Sequence, residues 1–178
     1  MAKGIANVKS TPLEYRVQIV PLAQMLILLS LANGSPVIAK RLFGDAWATP
    51  VDGNARFIDG RPLLGPSKTV RGLVASLLAT GLGAALLGLH VWIGVLVAAT
   101  AMAGDLLSSF LKRRLDLASS SKATGLDQIP ESLLPLLACG SALSLTAIDI
   151  VAGCAIFFLG EILLSRLFFR LKLRDRPY

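Results

Sequence analysis

The chain has 178 residues, of which 54% are hydrophobic and 16% charged, and its formal net charge is +7. Soluble domains carry about a quarter charged residues, so this composition, with a mean hydropathy of +0.67, excludes a soluble enzyme and points to one integral-membrane domain over 1–178. The excess of positive charge marks cytoplasmic loops or a site for anionic groups.

A spanning helix needs about 20 mostly apolar residues, and the chain offers five candidates. The N-terminal segment carries Lys3, Lys9 and Arg16 and no short apolar run with a cleavage site, so no removable signal peptide is expected. The first span is 17–32. A long loop, 33–71, follows with Lys40, Arg41, Arg56, Arg61, Lys68 and Arg71. It ends in "DGRPLLGPSKTVRG" (59–72), where Gly65 and Pro66 form a turn and Lys68 and Arg71 follow at i, i+3. That segment is only loosely like a phosphate loop, because the full Walker pattern is missing. The second and third spans, 72–89 and 91–107, meet at His90 in a tight hairpin, and His90 reads as an interface residue. Small residues let membrane helices approach closely, so Gly81, Gly83 and Gly88 read as packing positions; such faces also permit a homodimer.

The third span ends in "GDLLSSFLKRRL" (104–115). On a helix Asp105, Ser108 or Ser109, and Lys112 share one face. Taken alone, Asp105 is an interfacial carboxylate paired with a nearby cation, although ionisable groups within spans are usually functional. The second loop, 108–132, carries Lys112, Arg113, Arg114 and Lys122, then Asp127 and Glu131 around Pro130. Alone, those two acids read as a helix start. The fourth and fifth spans are 133–148 and 150–169. Cys139 and Cys154 sit in apolar segments as small buried hydrophobes. Glu161, within the fifth span, either pairs inside the bundle or lines a substrate groove. The tail adds Arg166, Arg170, Lys172, Arg174 and Arg176.

The turns near His90 and Asp149 carry no basic residue. Five spans beginning outside therefore place both long loops and the tail in the cytoplasm, where basic residues concentrate. The two loops together gather carboxylates and cations at one membrane face. Carboxylate oxygens suit Mg²⁺, which also bridges phosphates, and basic side chains neutralise phosphate charge. This mixture suits a nucleoside triphosphate and an anionic lipid. The cations lack the interleaved aromatics of a nucleic-acid surface, so nucleic acid is not expected as a partner.

"LANGSPVIAKRLFG" (31–44), "TPVDGNARFIDGRPLLGPSKTVRG" (49–72), "GDLLSSFLKRRL" and "LDQIPESLLPLL" (126–137) occur in order, and they resemble the CDP-archaeol synthase family of membrane cytidylyltransferases. The block Ser109-x-x-Lys112-Arg113, followed by an acidic motif, is more distantly similar to CDP-diglyceride synthetases. The resemblance implies an all-α polytopic enzyme of the cell membrane with its site on the two cytoplasmic loops and its N-terminus outside. It implies that CTP and a lipid phosphate, an archaeal diether glycerol phosphate or a phosphatidate-like lipid, give a CDP-lipid and pyrophosphate with Mg²⁺. Asp105 matches the aspartate of the Gly-Asp motif, Lys112 and Arg113 the basic pair, and Asp127 the Asp-Gln aspartate. Lys68, Thr69 and Arg71 match the Lys-Thr-x-Arg-Gly element, and Asn33, Pro36, Asp52 and Asp59 match first-loop positions. The implied metal ligands are Asp105 and Asp127. The broader synthetases have a second aspartate where this chain has Pro130, which leaves Glu131 the weaker ligand candidate. The implied catalytic set is Asp105, Asp127, Lys112 and Lys68, and the implied phosphate ligands are Lys68, Thr69, Arg71, Lys112, Arg113, Asn33, Asp52 and Asp59. Two alternatives stay open at this stage: a CTP-dependent polyprenol or phytol kinase, and a small transporter subunit. The kinase would leave CDP rather than cytidylate the lipid. The transporter would place its polar residues near mid-span.

Overall fold

A computed structural model describes residues 17–117 and 125–170, with side chains through 163. Lys3, Lys9, Arg16, Lys122, Lys172, Arg174 and Arg176 lie outside the described residues, as do the side chains of Arg166 and Arg170. The described chain is all-α: α1 (Ile19–Phe43), α2 (Val70–Leu86), α3 (Val91–Arg114), α4 (Gln128–Cys139) and α5 (Ala147–Arg170). Each helix packs on the next, and α1 also touches α3, α4 and α5, which closes the bundle. Met25, Leu28, Leu29, Ala84, Val97, Ala101, Leu136 and Phe157 form its buried core. Among the described residues, α1 and α3 are each long and apolar enough to cross a membrane.

Two helices run further than the apolar pattern indicates. α1 continues past Ala32 through Asn33 and Pro36 to Phe43. The Asn33 Nδ2 donates to the Leu29 carbonyl at 3.2 Å, so the amide is satisfied inside the helix. α3 continues past Leu107 to Arg114. Leu, Lys and Arg are good helix formers, and cations in a last turn favour the helix dipole. The helix stops at Asp116, a non-glycine residue at φ 61°. The Leu117 amide donates to the Lys112 carbonyl and the Asp116 amide to that of Arg113, a Schellman ending. The two connecting loops are therefore 44–69 and 115–127.

The segment 133–148 is not one helix. α4 begins earlier, ends at Cys139, and is about 18 Å long against a hydrocarbon core of about 30 Å. The break follows from what starts α5. The Asp149 carboxylate accepts from the Thr146 amide and hydroxyl, both at 2.8 Å, while the Asp149 amide donates to Thr146 Oγ1. That reciprocal pair is a capping box, which fixes the helix start. Asp149 also accepts from the Gln18 amide at 2.9 Å, joining the starts of α1 and α5 at one end of the bundle. At the same end Gln24 of α1 donates to the Leu87 carbonyl, and His90 Nδ1 accepts from the Trp92 amide to begin α3. Both loops lie at the opposite end.

The glycines divide by role. Gly88 has φ 73° and nothing within 4 Å of a built Cβ, so it serves the hairpin turn rather than packing. The close helix contacts fall at Gly83, Gly94 and Gly104. A side chain on Gly94 would collide with the Thr80 carbonyl of α2, and one on Gly104 with the Pro130 carbonyl of α4. Those obstacles are backbone, which cannot step aside. Gly94→Ala and Gly104→Ala should each lower the unfolding free energy in detergent by about 1–3 kcal/mol. Gly34→Ala, inside α1 with nothing within 4 Å, should not destabilise and should gain the helix propensity of alanine. Thermal melts of the three variants check this.

Candidate active site at the loop end of the bundle

The first loop is short on apolar residues but closes on itself through hydrogen bonds. Val51 donates to the Lys68 carbonyl at 2.8 Å and Val70 to the Thr49 carbonyl at 2.9 Å, around an antiparallel bridge from Pro50 to Thr69. A second bridge, Arg56 to Pro62, closes a smaller turn at the tip. Asp52 ties the two together. Its Oδ2 accepts from the amides of Leu64 (2.9 Å) and Gly65 (3.3 Å), and its Oδ1 from that of Asn54 (3.0 Å). Burial alone would raise the pKa of this carboxyl, but the amides of Leu64, Asn54 and Gly65 together hold it below its ordinary value. Thr69 caps α2 by accepting from the Gly72 amide. Arg71 donates from Nη1 to the carbonyls of Gly44 and Ala46, fastening the loop's two ends.

This frame delivers Lys68. Its Nζ sits 2.5 Å and 2.6 Å from the two carboxylate oxygens of Asp105 on α3, and both side chains are mostly buried. Glu131, buried on α4, lies against Asp105 and feels the charges of Asp105, Glu161 and Lys68. The contact arises where the Pro130–Glu131 backbone packs on Gly104, the residue before Asp105. Glu131, the weaker candidate from motif spacing, is thus the acid placed against Asp105. Asp127 is instead ion-paired with Lys112, Oδ1 to Nζ 2.7 Å.

Two carboxyl groups set against each other call for a nearby cation. Lys68 supplies one. Mg²⁺ commonly takes one or two carboxylates and completes its shell with water and substrate phosphate oxygens. Asp105 and Glu131 fit that requirement. Among the described residues, no group of three or more His, Cys, Asp or Glu forms a protein-only metal cage.

The three cations ending α3 diverge. Lys112 is 7% exposed and paired as above. Arg113 is 9% exposed, and its Nε is buried with no hydrogen-bond partner among the described residues. Arg114 meets the first loop, with Nη1 2.6 Å from Asp59 Oδ1. Asp59 also accepts from the Arg61 amide at 3.1 Å. So Lys68, Asp105, Glu131, Lys112, Asp127 and Arg113 gather at this end of the bundle, whereas Asn33, Asp52, Asp59, Thr69 and Arg71 are occupied in building α1, the loop or the α2 cap. The contribution of Arg114 was not visible in the motif, where nothing separates it from its basic neighbours.

Residues 17–178 match the family described as CarS-like, CDP-archaeol synthase. The CDP-archaeol synthase of Sulfurisphaera tokodaii is 37% identical over 153 residues, 83% of this chain and 89% of that protein. That of Hyperthermus butylicus is 40% identical over 140 residues, 73% and 76% of the two chains. A solved structure described as "Structural insight into an intramembrane enzyme for archaeal membrane lipids biosynthesis" matches with a TM-score of 0.69 and 30% identity, over 80% of this chain and 90% of that one.

The depressed pKa of Asp52 has a definite sign. A carboxyl whose folded pKa lies below its unfolded value stabilises the loop above the unfolded value, near 3.8, and that stability is lost as pH falls through the folded pKa. Amide protection at Leu64 and Gly65, measured by hydrogen exchange, should be constant from about pH 5 to 8 and fall below about pH 4. Asp52→Asn should weaken it across the range from about pH 5 to 8 and remove its pH dependence.

Proposed function

This chain belongs to the CDP-archaeol synthase family, and from that premise we propose how its residues carry out the reaction. The protein is a membrane enzyme, a CTP-dependent cytidylyltransferase that makes CDP-archaeol in archaeal lipid biosynthesis. The kinase and transporter readings fall away with that assignment.

In our reading a phosphate oxygen of the lipid substrate attacks the α-phosphorus of CTP in line, and pyrophosphate leaves from the opposite side. A phosphate monoester is already an ionised nucleophile at neutral pH, so no covalent enzyme intermediate is needed. Catalysis is then positioning and charge neutralisation. Asp105 and Glu131 would hold Mg²⁺, which when bound supplies positive charge to the phosphates. Lys68 neutralises this acidic pair and stands ready to share its protons with a phosphate. Lys112, held by Asp127, keeps a second positive charge at the end of α3.

The observation that supports this reading is Arg113, a mostly buried cation at the end of α3 whose Nε has no hydrogen-bond partner among the described residues; a buried charge favours a counter-charge. A substrate phosphate is the natural partner, because the planar fork of Arg matches phosphate oxygens bidentately. Arg113 lies eight residues beyond Asp105 on the same helix, about 12 Å along its axis. That interval leaves room for a row of phosphates between the acidic pair and the guanidinium. We place this end of the bundle, with both loops, in the cytoplasm, where CTP is available and where the basic residues accord with charge asymmetry. The N-terminus then lies outside.

A purified-protein assay with α-labelled CTP tests the assignment of residues. Label should enter the lipid, with pyrophosphate released. Asp105→Asn should reduce turnover by on the order of a thousandfold while the protein remains folded. Arg113→Gln should weaken CTP or lipid-phosphate binding by on the order of ten- to a hundredfold. Full activity in the Asp105→Asn enzyme would overturn the metal-ligand role.

A further inference from the structure

Arg114, the last cation of α3, makes contacts that lead chiefly to the tip of the first loop. Its Nη1 donates to Asp59 Oδ1 at 2.6 Å and its Nη2 to the Pro62 carbonyl at 2.7 Å. Its guanidinium carbon lies 4.7 Å from the ring centre of Phe57, on the loop, and 5.0 Å from that of Phe110, one turn back on α3. The two rings meet edge to face at 5.3 Å. Arg61 answers from the loop side, donating from Nη1 to the Arg114 carbonyl at 2.7 Å, with its Nη2 3.8 Å from Asp116. The loop tip and the helix end thus hold each other through two reciprocal arginines and an aromatic pair.

We propose that Arg114 is a positioning residue for the nucleotide: it clamps the loop tip onto α3 and so holds Lys68 in place to receive the triphosphate. The inference rests on the reading that CTP binds at the Lys68–Asp105 cluster. The mechanical route is short. The tip turn closes through Phe57 donating to the Arg61 carbonyl and Leu63 donating to that of Ala55. The next two amides, of Leu64 and Gly65, are bound by Asp52, and Lys68 follows three residues later with its carbonyl held by Val51. Little slack separates Arg114 from Lys68. A lysine cannot replace it. Lysine has one point charge, whereas this site uses two diverging donors and a planar face stacked near two rings.

The test combines CTP kinetics with tryptic cleavage of the substrate-free enzyme at the loop's own Arg56 and Lys68. Arg114→Ala should speed cleavage and raise the KM for CTP, each by on the order of tenfold, with kcat changed by less than about threefold. Arg114→Lys should resemble Arg114→Ala in both readouts. Phe57→Ala, which loosens the same clamp from the loop side, should move both values in the same direction, and it carries the test if Arg114→Ala does not fold. Faster cleavage with an unchanged KM would reduce Arg114 to a purely structural contact and overturn the proposal. So would wild-type behaviour of Arg114→Lys, since charge alone would then suffice. If Lys68→Met leaves CTP affinity unaltered, the nucleotide reading fails separately, and the cleavage rate of Arg114→Ala still reports on the clamp.

Discussion

A carboxylate on an apolar helix must have a counter-charge, and in this protein Asp105 obtains one from Lys68, 37 positions earlier in the chain. Much of the loop end of the molecule follows from that need. The loop from Gly44 to Thr69 must return to α3, hold its own backbone polar groups and aim one lysine. It does so with Asp52 and two short bridges rather than with a hydrophobic core. Removing one partner of a mostly buried ion pair costs about 3–5 kcal/mol, because the other charge is left uncompensated. The pair therefore adds to the stability of the free protein, and at the same time it concentrates charge where substrate phosphates are proposed to bind.

Glu131 adds tension to this arrangement. A second carboxyl beside the first raises the need for positive charge beyond what one lysine supplies. The close approach that causes it is a backbone matter: Gly104 has no side chain, so α4 can press Pro130 and Glu131 against α3. The mostly buried Arg113 and the crowded acidic pair at Asp105 stand on one helix, and the proposed phosphate and cation would compensate both.

Apolar run lengths were enough to find five helices and to bring the two loops to one end, because hydropathy reports burial or lipid contact directly. Asp105 stood out for the same reason, as a charge where charge is costly. The ends of α3 and α4 were hidden. α3 stops on Asp116 in a left-handed conformation, without the glycine that usually marks such a stop. The capping box at Thr146 and Asp149 uses aspartate where glutamate or glutamine is usual, so the start of α5 passed for a turn. The partner of Asp105 was equally hidden, since Glu131 reaches it through packing at Gly104, a contact that leaves no motif. Nor does spacing separate Lys112, Arg113 and Arg114. Consecutive helix positions point 100° apart, and only the neighbours on each side decide which cation pairs with an acid and which braces a loop.

The order of the pair along the chain bears on how the protein enters the membrane. Synthesis runs from the N-terminus, and early segments organise first. Lys68 therefore leaves the ribosome before Asp105, and Asp105 before Glu131. When α3 moves into lipid, the ammonium that neutralises its carboxylate is already anchored at the start of α2, one hairpin away. The insertion penalty of a lone aspartate, about 3 kcal/mol at a helix centre, is thereby met as it arises. Glu131 arrives last, so the acid that overloads the pair joins only after the pair can exist.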